Sequence, residues 1–197
     1  MAGRLNRSVV VDRAGELADE IGLDEVTITR LGRVLGIAPP VVYRHVTDVA
    51  DLRAAVGRGA TVELTGVLSS ACAGRAGADA LSALCTSLRD WAAQHPGRYA
   101  AMQIAPAPDD DAAQADATRL LGVIESALRA YDLTGDDLID AIRLVRSTVH
   151  GFVCLERDGG FKQPRSPDAT FDRIVGMLDA ALTGSGIAGR SAGLGVR

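Results

Sequence analysis

Aromatic residues are scarce in this chain of 197 residues: 4%, against 47% hydrophobic residues overall. A core short of rings must be built from Ala, Leu and Val, and that composition favours packed helices over sheets. No alternating run bounded by turn residues reads as a strand. Lysine is scarcer still, since Lys162 is the one lysine among 21 basic residues; no function is read from this bias. Cysteines number three, Cys72, Cys85 and Cys154. Their odd number and spacing match neither a zinc site nor a CxxC pair. They read as small apolar side chains in a reducing compartment. No segment stays apolar for the ~18 residues that crossing a bilayer takes, and the first residues hold no apolar signal core. The expected protein is soluble and cytoplasmic. His45, His95 and His150 are scattered, and neither a phosphate-binding glycine loop nor a metal motif occurs. The Asp109–Asp111 run reads as a solvated loop. These absences argue against an enzyme and imply no cofactor.

A local absence says more. From Val26 to Thr47 there is no acidic residue, although the whole chain carries a net charge of −4. Arg30, Arg33, Arg44 and His45 lie inside that window. Asp24 and Glu25 precede it, and Asp48 and Asp51 follow it. A stretch cleared of negative charge suits a phosphate-facing surface.

The same stretch, TITRLGRVLGIAPPVVYRHVT, reads as two short helices around a tight turn. Thr27 is the expected N-cap of the first, whose apolar positions Ile28, Leu31 and Val34 or Leu35 recur at helical spacing. Gly36 suits the left-handed residue that ends a helix. Pro39 and Pro40 fit the first turn of the second helix, which is expected to run to about Val46. That length, ~12 Å, matches the major groove of B-DNA. On a helical wheel Val42 and Val46 face inward, against the neighbouring helices. Pro40, Val41 and Arg44 then face base edges, and Tyr43 and His45 reach phosphates on either side. Arg44 is the expected bidentate reader of guanine, and Val41 can touch a thymine methyl. With Thr27, Pro39 and Thr47, these residues make up the candidate DNA contacts.

Residues 1–47 form the expected DNA-binding domain. Met1 to Leu5 reads as a terminal arm; Arg4 and Arg7 are either part of a frayed end or contacts to phosphate or the minor groove. Helix 1, to Ile21, carries the stripe Val10, Ala14, Leu17 and Ile21. A connector helix spans residues 48–71, capped by Thr47, with Val49, Leu52, Val56, Ala60, Glu63 and Val67 along its inner face; Glu63 breaks the apolar pattern. It opens a helical body, residues 48–183. Further helices are expected over Asp79 to His95, Arg98 to Ile104, Ala112 to Tyr131, Thr134 to about Arg157, and from Ser166 or Asp168 through Leu182. Residues 184–197 are rich in Gly, Ser and Ala, the composition of a disordered tail. The fold class is all-α, with about nine helices.

Trp91, Tyr99 and Met102 are candidate ligand contacts, or ordinary core. Arg146 and His150 are i, i+4 neighbours at the edge of an apolar face. They can orient a ligand, or belong with Arg143 to a solvated or dimer-interface stripe. Gly151 sits mid-helix between apolar residues, where glycine costs stability unless something packs closely.

The three-helix head followed by about six more helices resembles the TetR family of transcriptional repressors. TITRLGRVLGIAPPVVYRHVTDVADLRAAV is similar to that family's head along its whole length, including Tyr43-Arg44-His45 and Leu52. The stretch from Trp91 to Tyr99, and Val149-His150-Gly151-Phe152 running on to Gly159-Gly160-Phe161, resemble one subgroup of its C-terminal domains. The resemblance implies a homodimer on a two-fold operator and a small-molecule pocket whose occupancy changes the spacing of the heads. It implies pairing through about residues 134–157 and 168–183. Two positions depart from the family pattern. Ala38 stands where a Ser or Thr commonly caps the recognition helix, and Val49 stands where a Lys often contacts the DNA backbone. The second reading, motivated by these departures and the flanking acids, is a helical ligand-binding or interaction module whose head no longer uses specific DNA.

Overall fold

Leu-, Ala- and Val-rich stripes at helical spacing become helices throughout the described chain. A computed structural model describes residues 5–184. Nine α-helices and no strand occur among them. They are α1 (Arg7–Ile21), α2 (Ile28–Leu35), α3 (Pro39–Val42), α4 (Val49–Cys72), α5 (Gly77–Gln94), α6 (Pro96–Ala101), α7 (Asp111–Leu128), α8 (Gly135–Arg157) and α9 (Pro167–Thr183). No described helix is long and apolar enough to cross a membrane. Arg4 and the tail 185–197 lie outside the described residues.

The helices divide into two compact units. The first comprises the chain up to Thr65 together with Trp91–Leu120, and the second Gly66–Asp90 with the chain from Leu121 onward.

In the first unit Val10, Ala14, Leu17 and Ala18 of α1 pack with Ile28 and Leu31 of α2 and with Val42 and Val46. Leu52 and Val56 of α4 and Ala101 of α6 close the same core. Ile21, expected on the α1 stripe, is instead exposed, because the helix ends there and Ala18 takes the inward place. Along α4, Leu64 and Leu68 are buried while Val67 is exposed. The inward face continues in steps of four from Leu52, not through Glu63 and Val67.

Two glycines let backbones touch in this unit. A Cβ on Gly97 of α6 would stand 2.1 Å from the Ala18 carbonyl of α1, and one on Gly57 of α4 would stand 2.5 Å from the Ala101 carbonyl. Asp110 caps α7 by accepting the Ala113 N–H at 2.9 Å.

In the second unit Phe152, Phe161 and Phe171 form a tilted ring cluster with centroids 4.8 and 5.0 Å from Phe152. The Arg89 guanidinium lies over Phe152 and Phe171 and bridges Glu156 and Asp168. One side chain of α5 thus ties α8 to α9, and its pairing holds the guanidinium firmly protonated. Cys85 is buried and its thiol is pushed up to about 12 by desolvation. All three cysteines are free.

Candidate nucleic-acid interface

The turn between α2 and α3 is built by local chemistry. Thr27 Oγ1 accepts the Arg30 N–H at 3.2 Å and caps α2. Gly36 adopts φ 68°, and its N–H reaches back to the carbonyls of Gly32 and Arg33. Gly32 is needed as well, since a Cβ there would stand 2.8 Å from the Ile37 carbonyl.

The second helix is shorter than its sequence suggests. α3 ends at Val42, not at Val46, and Tyr43–His45 form tight turns. Pro39 and Pro40 supply no N–H, but first-turn N–H groups have no intrahelical partner, and the Tyr43 N–H still reaches the Pro39 carbonyl at 3.2 Å. The Arg44 and His45 N–H groups then bond three residues back, to the carbonyls of Val41 and Val42, at 3.2 and 2.9 Å. Ala38 makes no side-chain cap bond.

The inward and outward faces survive this tightening. Val42 and Val46 are 0% and 2% exposed. Pro40, Tyr43, Arg44, Thr27 and Thr47 are exposed, and Pro39, Val41 and His45 are half-buried. Tyr43 is 53% exposed. The Arg44 guanidinium makes no hydrogen bond or ion pair among the described residues, and neither does that of Arg33.

Two other arginines are committed elsewhere. Arg30 pairs with Glu25. Arg7 pairs with both oxygens of Asp51 and donates to the His45 carbonyl. Arg7 is therefore the first residue of α1 and a brace beneath the recognition turn, not part of a loose arm. Its guanidinium holds the Asp51 carboxyl down to about 2. Asp51 also accepts the Thr47 N–H at 2.8 Å, while Asp48 Oδ1 accepts the Asp51 N–H at 2.7 Å. Asp48, rather than Thr47, thus caps the connector helix, and the Asp51 carboxylate reaches back to the residue before the cap.

The candidate ligand residues fall in different units. Trp91 and Tyr99 are each 4% exposed in the first unit, with Met102 half-buried beside the end of α6. The Trp91 indole N–H donates to Glu63 Oε1 at 3.2 Å, which explains the acid that breaks the apolar face of α4. Arg98 Nη1 donates to the other Glu63 oxygen at 3.1 Å. Arg98 and His95 also meet Asp19, at 3.1 and 3.3 Å. Arg146 is exposed and His150 half-buried on α8, and the His150 ring lies 3.6 Å from Cys154 Sγ. No cluster of three metal-ligating side chains occurs among the described residues. The Glu63, Asp19 and Arg98 group was not singled out by sequence. Its one signal was the misplaced charge at Glu63.

Residues 81–178 match the model of the tetracyclin repressor-like C-terminal domain. An uncharacterized HTH-type transcriptional regulator of Mycobacterium tuberculosis, Rv0681, is 34% identical over 180 residues, which are 91% of this chain and 82% of that protein. The fold is shared with BioQ solved on its double-stranded DNA operator, at 21% identity and TM-score 0.64, over 91% of this chain and 99% of that one. It is shared also with a TetR variant from Acinetobacter baumannii AYE in complex with minocycline, at 21% identity and TM-score 0.68, over 90% and 96% of the two chains.

Proposed function

The chain belongs to the TetR family of helix-turn-helix transcriptional regulators, non-enzymatic DNA-binding proteins, and on that premise we propose that it is a repressor. It grips a palindromic operator as a homodimer and responds to a small molecule. The observation that carries the reading is Arg44. It is exposed and unpartnered in an acid-free stretch, on the side away from buried Val42 and Val46. A free guanidinium so placed is available for guanine O6 and N7. Pro40 and Val41 accompany it toward base edges. Pro39, Tyr43, His45, Thr27 and Thr47 serve the phosphates on either side. The DNA-binding domain is 1–47, and the ligand-binding and dimerisation domain is 48–183. The operator complex of BioQ supports DNA as the partner, and the minocycline complex supports a small-molecule effector.

The homodimer is assigned to α8 and α9. Ile139 and Met177 are 46% and 57% exposed on these helices. A Cβ added to Gly151 or Gly176 would meet nothing within 4 Å. A mid-helix glycine with no neighbour inside the protomer is accounted for by a second copy that approaches closely. Arg143, Arg146 and His150 belong to the same stripe. The effector contacts are assigned to Trp91, Tyr99 and Met102.

The test is selection of bound fragments from random DNA, followed by a salt titration on the winner. One enriched palindrome with steep salt dependence supports a repressor. Uniform weak binding favours the second reading, a module whose head has left specific DNA. Arg7 and Arg30 give that reading its support, because both are spent on internal acids.

A further inference from the structure

His150 and Cys154 stand one turn apart on α8, and Cys154 Sγ lies 3.6 Å from His150 Nε2. Both side chains are half-buried. The stripe assigned to the dimer gives His150 a place but no chemistry, and it leaves Cys154 unused.

The distance between the two is informative. A thiolate and an imidazole on one tetrahedral zinc ion, about 2.3 and 2.1 Å from it, stand about 3.6 Å apart. Residues four apart on a helix share a face, so both side chains can reach one point above it. Without metal the same approach serves a weak S–H···N contact. One chain supplies only these two ligands, because no group of three or more His, Cys, Asp or Glu side chains able to hold a metal occurs among the described residues. A structural zinc site takes four. The pair is half of such a site.

Gly151 points to the other half. At about 100° per residue, Cys154 projects between the directions of His150 and Gly151. Val149, Phe152 and Val153 are buried on the other side of the helix. A Cβ on Gly151 would meet nothing within 4 Å, so the helix backbone is bare beside the pair. A second α8 that crosses at Gly151 brings its own His150 and Cys154 to the same place, since residues near a two-fold axis meet their counterparts. Two copies then offer two sulfurs and two nitrogens. On binding, each Cys154 thiol gives its proton to solvent and each His150 stays neutral. Two thiolates balance one Zn2+, and an uncharged centre can be covered by two helices where an unpaired charge could not.

We infer that His150 and Cys154 form half of a zinc site that a second copy of the chain completes at α8. Thiolate with imidazole selects zinc over magnesium or calcium, which take oxygen ligands. The inference rests on the dimer proposed above and adds to it a ligand set that no single chain holds.

The test uses the full chain, reduced and stripped of metal with a chelator. Zinc(II) is titrated by calorimetry. Cobalt(II), which takes zinc sites and absorbs visible light strongly when tetrahedral, reports geometry and thiolate ligation. One metal per two chains is expected, with the cobalt–thiolate absorption. Cys154→Ser should abolish that absorption, and Cys72→Ser should leave it unchanged. Cys154→Ser and His150→Ala should each weaken zinc by roughly a hundredfold or more, since even a residue that only supports a ligand is worth about 10–100-fold. Gly151→Leu keeps both ligands and should still lose the metal, a result that a site within one chain would not give. Sedimentation alongside separates the failures. A dimer that takes up no metal overturns this inference and leaves the dimer standing. A chain that stays monomeric with and without zinc overturns both. Zinc bound at one per chain, or bound as tightly by Cys154→Ser, overturns the shared site.

Discussion

Asp19 of α1 accepts the backbone N–H of Arg98 at 2.9 Å, so one helix caps the start of another. His95 occupies the N-cap position of α6 but makes no side-chain cap bond. One orphan N–H of that helix, that of Arg98, is met from outside, by a carboxylate that also holds the Arg98 Nε and His95 Nδ1. Asp19→Ala removes all three contacts and leaves a largely covered guanidinium with Glu63 alone. The expected loss is roughly 2 kcal/mol in urea unfolding. Asp19→Asn, which still offers an oxygen to the Arg98 N–H, should lose about half as much. Faster amide exchange at Arg98 and Tyr99 in Asp19→Ala would locate the damage at α6. Equal stability of Asp19→Ala and the parent would remove this cap from the account of the fold.

Arg44→Ala should cost roughly 1–3 kcal/mol on a selected operator and relax preference at one base position, because a bidentate base contact is lost. Arg33→Ala, on the exposed side of α2, should weaken all sequences about equally if it meets phosphate. Fluorescence anisotropy on the operator and on scrambled DNA separates the two outcomes. An Arg44→Ala protein with unchanged operator affinity would show that the base-reading face is assigned wrongly.

The brace between Arg7 and Asp51 predicts a pH dependence with a definite sign. The Asp51 carboxyl lies lowered from 3.8 to about 2, chiefly through the hydrogen bonds from Arg7. A folded value below the unfolded one means the stabilisation is complete above about pH 4 and is lost as pH falls toward 2. Arg7 is half exposed, so solvent screening reduces the contribution to ~1 kcal/mol. Asp51→Asn should therefore be less stable than the parent at pH 6, and the gap should close by pH 2. Denaturant midpoints across that range measure it, and a gap that stays constant down to pH 2 excludes the carboxylate as its source.

Gly97 and Gly57 give a sharper contrast. A methyl group at Gly97 would stand 2.1 Å from a backbone carbonyl of α1, and one at Gly57 would stand 2.5 Å from that of Ala101. Backbone cannot move aside as a flexible side chain can, so each alanine should cost about 3 kcal/mol. Alanine at Gly66, where nothing lies within 4 Å, should instead stabilise by roughly 0.5–1 kcal/mol. Thermal midpoints that rank the three variants otherwise would show that α6 does not seat on these glycines.

What was legible in the sequence is what short-range chemistry decides. Thr27 as a cap, Gly36 as a left-handed stop, and Val42 with Val46 as the inward pair each depend on neighbours within a turn or two. The recognition helix was misjudged because Pro39 and Pro40 mark where a helix starts, while nothing in the residues after them marks the tightening to three-residue turns at Arg44 and His45. The roles of Glu63, Gly57, Gly97 and Arg89 depend on residues 28 to 79 positions away, where periodicity carries no information. Arg7 was ambiguous for the same reason: its partner, Asp51, is 44 residues on. A charge inside an apolar stripe or a glycine inside a helix marks such a site without naming its partner.

Gly151 is where that mark can be tested directly. It lies mid-helix on α8, and an added Cβ meets nothing within 4 Å. Within one protomer, then, Gly151→Ala should stabilise the helix by about 1 kcal/mol, and Gly151→Leu should fit without strain. At a close helix contact between two copies both side chains would be doubled by symmetry, and leucine would force the helices apart. Sedimentation therefore distinguishes the two. If α8 packs on a second copy, Gly151→Leu should sediment as a folded monomer at concentrations where the parent is a dimer. It should also lose affinity for a palindromic fragment far more than for a single half-site. A Gly151→Leu protein that remains dimeric, with unaltered half-site preference, would move the dimer interface away from this face of α8.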